Sequence, residues 1–163
     1  MSPHWSLLLS LLALLLLANG APVVLALLGG GAAATPLDGG CRWLDGRPVF
    51  GPAKTWRGLV AALVLTPPTA WALGFGWGLG LVVALGAMAG DLIASFIKRR
   101  LGLPSSASVP FLDQVPEALI PALLAKAPMG LDWLDLGLAV LGFTVLDLVL
   151  TPLFKRLGAG RRT

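Results

Sequence analysis

The sequence predicts an all-α integral membrane protein of about five transmembrane helices, with two polar cytoplasmic loops and the N-terminus outside. Three observations predict it: the composition, the spacing of apolar runs and the placement of basic residues. Of 163 residues, 56% are hydrophobic, a further 21 are Gly and only 12% are charged. Soluble domains carry roughly 25% charge. A soluble fold of this length still exposes much of its chain and has nowhere to hide so much apolar surface. A soluble enzyme, a disordered chain and a nucleic-acid-binding domain are therefore excluded.

An apolar run of about 20 residues crosses a bilayer. The first such run spans about 5–28 and is interrupted by Asn19, Gly20 and Pro22. It lacks the basic n-region of a signal peptide and is longer than the usual h-region, so an ordinary span fits better than a cleaved leader. The second runs over about 58–73 and contains Pro67 and Pro68; the third covers about 77–97. A shorter apolar segment, 118–124, becomes a span only if it begins near Pro116, and the last run covers about 134–154. Gly74/Gly78, Gly76/Gly80 and Gly86/Gly90 fit small-xxx-small helix packing.

The basic residues fix orientation. Arg42, Arg47, Lys54 and Arg57 follow the first span, Lys98, Arg99 and Arg100 follow the third, and Lys155, Arg156, Arg161 and Arg162 follow the last. Only Lys126 lies in an even-numbered connection. If all three groups are cytoplasmic, the positive-inside rule holds with an odd number of spans, and five satisfies it. The chain, 1–163, thus reads as one transmembrane domain with inner loops at about 32–57 and 98–115, in the plasma membrane, with membrane lipids as its surroundings.

The residue inventory narrows the chemistry. The single Cys41 and single His4 leave no disulfide, no Cys-rich metal site and no serine–histidine or cysteine–histidine arrangement. What remains is Asp, Lys, Arg, Asn, Ser and Thr, with a hard, oxygen-liganded cation. At the third span's inner end, Asp91, Ser95 and Lys98 are spaced i, i+4, i+7 and share one helix face. At 1.5 Å per residue, Asp91 lies about 10 Å deeper than Lys98. A carboxylate in a span costs roughly 2.5–3.5 kcal/mol, so it needs a partner. An acid below a hydroxyl below three cations suggests a metal-bound phosphate, although Lys98–Arg100 taken alone read better as a snorkelling stop-transfer cluster, and Asp91 alone reads equally as an internal salt bridge.

The first inner loop offers Asp38-Gly39-Gly40 and Phe50-Gly51-Pro52-Ala53-Lys54-Thr55-Trp56-Arg57-Gly58. This is not a Walker motif, because Pro48 and Ala53 stand where its glycines belong. It reads as a phosphate cradle just before a helix start, or as a plain polar connection. The second loop ends in Pro110-Phe111-Leu112-Asp113-Gln114, where Asp113 is a natural second metal carboxylate. Asp147 reads as a polar site or an interhelical hydrogen bond, Asn19 as a packing residue, and Asp45, Asp132 and Asp135 as ordinary loop carboxylates.

Three blocks together, residues 50–58, Gly90-Asp91-Leu92-Ile93-Ala94-Ser95-Phe96-Ile97-Lys98-Arg99-Arg100, and 110–114, resemble the CDP-archaeol synthases, distant relatives of the phosphatidate cytidylyltransferases. Ser95, the gap of two, Lys98-Arg99 and the later Asp113 also resemble the S-x-x-K-R…D-R signature of that larger group. With Asn19 and Asp38-Gly39-Gly40, the likeness extends over about 19–114. The larger group often has a further Asp three residues after the D-R or D-Q Asp; here that place is Pro116, with Glu117 beside it.

The resemblance implies an intramembrane cytidylyltransferase that uses CTP, a lipid phosphate substrate and Mg²⁺, with its active site facing the cytoplasm. It implies Asp91 and Asp113 as metal ligands, with Lys98 completing the catalytic set. Lys54, Arg57, Arg99 and Arg100 would bind phosphates, supported by Asn19, Asp38, Thr55, Ser95 and Gln114. The lipid tail, isoprenoid ether or diacyl, and a homodimer stay open. The competing readings are a small transporter or channel, which predicts polar residues spread through the membrane depth, and a non-catalytic scaffold of lipid enzymes.

Overall fold

The computed structural model describes residues 3–28, 34–105 and 107–159. Among the described residues, five helices follow one another: α1 (Trp5–Leu28), α2 (Trp56–Ala72), α3 (Gly76–Arg100), α4 (Gln114–Met129) and α5 (Trp133–Ala159). Arg161 and Arg162 of the basic tail lie outside the described residues.

Among the described residues, three stretches are long and apolar enough to cross a membrane: Trp5–Ala26, Gly76–Arg100 and Trp133–Leu153. The helices α2 and α4, of 17 and 16 residues, reach only about 24–26 Å at 1.5 Å per residue, short of a hydrocarbon core of about 30 Å. They hold Pro67, Pro68, Pro121 and Pro128 within the helix.

The bundle is built around α3, which packs against α2 on one side and α4 on the other, while α1 touches all four other helices. Close packing comes from glycine, though not from every pair the sequence suggests. A Cβ on Gly80 would stand 2.4 Å from the Pro67 Cα, one on Gly86 2.9 Å from the Pro121 Cα, and one on Gly90 2.2 Å from the Pro116 carbonyl oxygen. These three let α3 approach its neighbours backbone to backbone. A Cβ on Gly78 would meet open space, and Gly74 and Gly76 serve the α2–α3 turn at positive φ. Gly74/Gly78 and Gly76 are therefore not helix-packing residues.

Leu11, Leu14, Leu15, Val83, Ala118, Ala122, Ala139 and Phe143 make up the buried centre. Outward-facing Leu141, Val145 and Val149 on α5 and Leu81, Leu85 and Ile93 on α3 are exposed. Water would make such a surface a liability; lipid is its natural solvent. The exposed Trp side chains fall at the two ends: Trp5, Trp71, Trp77 and Trp133 at the ends of α1, α2, α3 and α5, and Trp43 and Trp56 by the first polar loop. Tryptophan favours both membrane interfaces, so the two groups mark a slab between them.

Candidate active site

The C-terminal end of α3 turns its polar face into the bundle. Ser95 is 2% exposed, Lys98 6% and Arg99 4%. A stop-transfer cluster would snorkel towards lipid headgroups; these two cations point into the protein instead. Lys98 Nζ pairs with Asp113 at 2.7 Å and donates to the Ala107 carbonyl at 3.1 Å. Arg99 donates to the Pro104 carbonyl at 2.8 Å, and its Nε is buried with no hydrogen-bond partner among the described residues.

Deeper along the same face, Asp91 forms an ion pair with Lys54 from the first loop. The Glu117 side chain on α4 hydrogen-bonds Asp91 as well. The backbone contact of Gly90 with Pro116 brings this about, because it sets the neighbouring residues Asp91 and Glu117 against one another. Burial acts against the Lys54 ammonium, but Asp91, and then Glu117 and Asp113, outweigh it and hold its pKa above the ordinary lysine value of 10.5. Lys54 therefore sits among three carboxylates from α3, the start of α4 and the residue before it.

The loops are fastened to this end by residues the sequence assigns to substrate. Asp38 accepts from the backbone N–H groups of Gly40 at 3.0 Å, Phe50 at 2.9 Å and Gly51 at 2.9 Å. Burial would raise the Asp38 pKa, but these donors lower it below the usual 3.8. Arg100 pairs with Asp45, donates to the Pro48 carbonyl at 2.6 Å and lies 4.9 Å over the Phe96 ring. Arg47 donates to the carbonyls of Arg99 and Arg100 at the end of α3, where a cation also complements the helix dipole. Thr55 is the N-cap of α2, accepting from Gly58 N, and Arg57 lies in that helix's first turn. Asn19 donates to the Leu15 carbonyl of its own helix, and Gln114 donates to Asp147 at 2.8 Å. Asp147 thus makes the interhelical hydrogen bond. The structure gathers Lys54, Asp91, Ser95, Lys98, Arg99 and Asp113 into one region; Asp38, Thr55, Asn19, Gln114 and Arg100 bond within the scaffold around it.

Two clefts adjoin this region. One, of about 270 Å³, is lined by Arg47, Arg99, Ser105 and the surrounding Pro48, Pro52 and Pro104. The other, of about 280 Å³, is apolar and lies along α4 and α5, lined by Phe111, Val115, Leu119, Leu136, Val140 and Leu141 among others. Phe111, at φ 66, holds a left-handed conformation uncommon outside glycine, two residues before Asp113.

A separate polar cluster occupies the opposite end. Asp135 is 1% exposed and accepts from His4 N at 2.9 Å and Asp132 N at 3.0 Å, while His4 Nδ1 lies 2.8 Å from its other oxygen. Asp135 is therefore no ordinary loop carboxylate: it clasps the start of α1 to the start of α5. The sequence signal for it was a lone Asp in the first turn of an apolar helix. Among the described residues, His4, Asp132 and Asp135 are the only three His, Cys, Asp or Glu side chains that could converge on one ion, with ligand atoms within 4.8 Å. Their hydrogen bonds already account for the arrangement.

A family model described as CarS-like, CDP-archaeol synthase, matches residues 4–68 and 71–158. The chain is 46% identical over 106 residues to a CDP-archaeol synthase of Hyperthermus butylicus, spanning 61% of this chain and 60% of that one. A CDP-archaeol synthase of Methanosphaerula palustris is 38% identical over 148 residues, 80% of this chain and 84% of that one. A solved structure described as an intramembrane enzyme for archaeal membrane lipids biosynthesis superposes with a TM-score of 0.72 at 30% identity. That superposition covers 88% of this chain and 91% of the other.

Proposed function

The chain belongs to the CarS-like CDP-archaeol synthase family, and from that premise we propose that it transfers CMP from CTP to a lipid phosphate, releasing pyrophosphate. The single observation that carries the reading is the convergence of Lys54, Asp91 and Asp113 beside the buried cations Lys98 and Arg99. Acidic groups suited to a divalent cation lie next to basic groups suited to phosphate, and both occupy one end of the bundle. A channel would instead spread its polar residues through the membrane depth.

An oxygen of the lipid phosphate attacks the α-phosphorus of CTP, and the bond to the oxygen bridging the α- and β-phosphorus breaks as pyrophosphate leaves. Such transfers depend mostly on positioning and charge neutralisation. Lys98 and Arg99, in a water-poor setting, neutralise the phosphate oxygens more effectively than exposed cations would. Ser95, on the same face, supplies a hydroxyl between them and Asp91. Arg57 joins the phosphate-binding set at the α2 N-terminus, while Arg100 positions the loop that carries Lys54, with Asp38, Thr55, Asn19 and Gln114 as scaffold supports. The carboxylate oxygens of Asp91 and Asp113 fit a hard divalent cation, Mg²⁺ in this reading. When bound, that ion supplies charge neutralisation at the phosphoryl oxygens.

The apolar cleft beginning at Phe111 supports a lipid substrate, since it runs beside the Asp113 segment and suits a hydrocarbon chain. The names of the relatives favour an isoprenoid ether lipid. The enzyme would act at the plasma membrane with its site open to the cytoplasm. Pyrophosphate release from purified protein, given CTP, Mg²⁺ and either a geranylgeranyl ether phosphate or phosphatidic acid, tests the reading. Release that requires both CTP and the ether phosphate is expected. Release with phosphatidic acid alone would reassign the lipid, and none with either would overturn the proposed reaction.

A further inference from the structure

We infer that the tip of the first polar loop, Trp43 and Leu44, is a membrane hook. It dips into the headgroup–acyl boundary of the bilayer that the helices cross, a contact that stands whether or not the chain transfers CMP. Residues 41–49 form a tight hairpin. Arg42 and Pro48 face one another as an antiparallel bridge, Trp43 N donates to the Arg47 carbonyl at 2.8 Å and Val49 N to the Cys41 carbonyl at 3.1 Å. Gly46 N closes the turn on the Trp43 carbonyl at 2.9 Å, with Gly46 at a φ of 73°. Its neck bonded to itself, the hairpin presents its tip to a poorly hydrated layer without unpairing those backbone groups. What it presents is apolar: Leu44 is 97% exposed and Trp43 48%.

A single exposed leucine needs no explanation; the place of this pair does. Leu81, Leu85, Ile93 and Ile97 are exposed along one stripe of α3, the surface that this helix gives to lipid. Phe96 and Arg100 follow Ile93 at spacings of three and seven and carry the same stripe to the helix end. The Trp43 ring stands edge-on to Phe96 at 5.3 Å, and the Arg100 guanidinium lies 4.9 Å over that same ring. Arg100 also pairs with Asp45 and donates to the Pro48 carbonyl. The hairpin is therefore clamped over the lipid-facing flank of α3, away from the buried face of Ser95, Lys98 and Arg99. Its tip continues a surface already given to lipid, at the level where tryptophan settles. Arg42 and Arg47 outnumber Asp45, the one acid of residues 41–49, and this net positive charge suits anionic headgroups. Seated there, the hook steadies the loop that carries Lys54 into the site.

The test places a nitroxide at position 44, as Leu44→Cys with Cys41→Ser, in the full chain held in phosphatidylcholine–phosphatidylglycerol nanodiscs. The wild-type chain labelled at Cys41, exposed on the same loop, is the reference. Collisions with oxygen, which gathers in the bilayer, are compared with collisions with a water-soluble nickel chelate. Leu44 is almost fully exposed, so the label replaces no packing. The oxygen-to-nickel ratio at 44 should exceed that at 41 several-fold and correspond to about 5–10 Å inside the boundary, the usual depth of an interfacial element. A ratio equal to that at Cys41 puts the tip in water and overturns the inference. Shielding from both reagents puts it against protein, such as a second copy of the chain, and overturns it too. Unlabelled chains give an independent check: trypsin should cut Leu44→Asp after Arg42 several-fold faster than the wild type in the same nanodiscs, and equal rates would contradict the hook.

Discussion

Lys98 and Arg99 show how residue type can be legible while residue role is not. The sequence identifies three cations ending a helix, and both inward and snorkelling readings fit that spacing. What decides is the turn-rich segment after α3, whose Pro104 and Ala107 carbonyls lie within reach of the two side chains. Those contacts depend on loop conformation rather than periodicity. Asp38 teaches the same lesson: its place beside two glycines suggested a substrate contact, but its oxygens hold the backbone of residues 40, 50 and 51. Asp38→Ala leaves three N–H groups without their acceptor, and each lost bond is worth about 1 kcal/mol. The expected outcome is a raised KM for CTP with faster proteolysis of the loop 34–55, while the helical circular dichroism is kept. Because the Asp38 pKa is lowered in the folded chain, its contribution is complete above 3.8 and is lost as pH falls through the lower folded value. Protease resistance of this loop should therefore fail on acidification below the ordinary Asp range, and the Asp38→Ala chain should lack that step.

At the scale of elements, α4 was the least legible helix. Only residues 118–124 read as apolar, whereas the helix runs from Gln114 to Met129. Its polar residues disguised it because they are consumed inside the bundle, Gln114 on Asp147 and Glu117 on Asp91. The length and hydropathy of the other spans were readable because lipid, rather than a specific neighbour, selects them. Helix contacts were partly readable: small residues signalled close packing, but only Gly80, Gly86 and Gly90 achieve it, and which glycines do depends on the proline-bearing backbones opposite. Gly90→Ala would place a methyl 2.2 Å from the Pro116 carbonyl oxygen. Such overpacking typically costs about 1–3 kcal/mol. A lowered detergent unfolding temperature is expected, with a larger loss of CMP transfer than Gly78→Ala, whose added methyl meets open space.

The whole molecule is asymmetric along its long axis, with the buried cations Lys98 and Arg99 at one end and the His4–Asp135 clasp at the other. This asymmetry was legible as a count of basic residues by loop, whereas the Trp side chains, exposed at both ends, mark the slab and not its direction. Cys41 is the single cysteine and is exposed on the first polar loop. A membrane-impermeant maleimide should therefore label inside-out vesicles and spare right-side-out ones; the reverse pattern would invert the proposed orientation. The clasp carries its own pH signature. His4 is held above its ordinary pKa of 6.5, first by its hydrogen bond to Asp135 and then by the charge of that carboxylate. Its contribution is complete below 6.5 and is lost as pH rises through the higher folded value. An unfolding temperature that declines over that range in the wild type, and not in His4→Ala, is the expected result.

In the proposed reaction the gathered acids and cations direct CMP, and not another part of the nucleotide, onto a lipid. The most direct measurement follows label from CTP into the organic phase with a geranylgeranyl ether phosphate as acceptor, using CTP labelled at either the α- or the γ-phosphorus. The expected result is α-label in the lipid, γ-label in aqueous pyrophosphate, and loss of both in Asp91→Asn protein that remains folded. Label from the γ-phosphorus in the lipid, or undiminished transfer by Asp91→Asn, would contradict it.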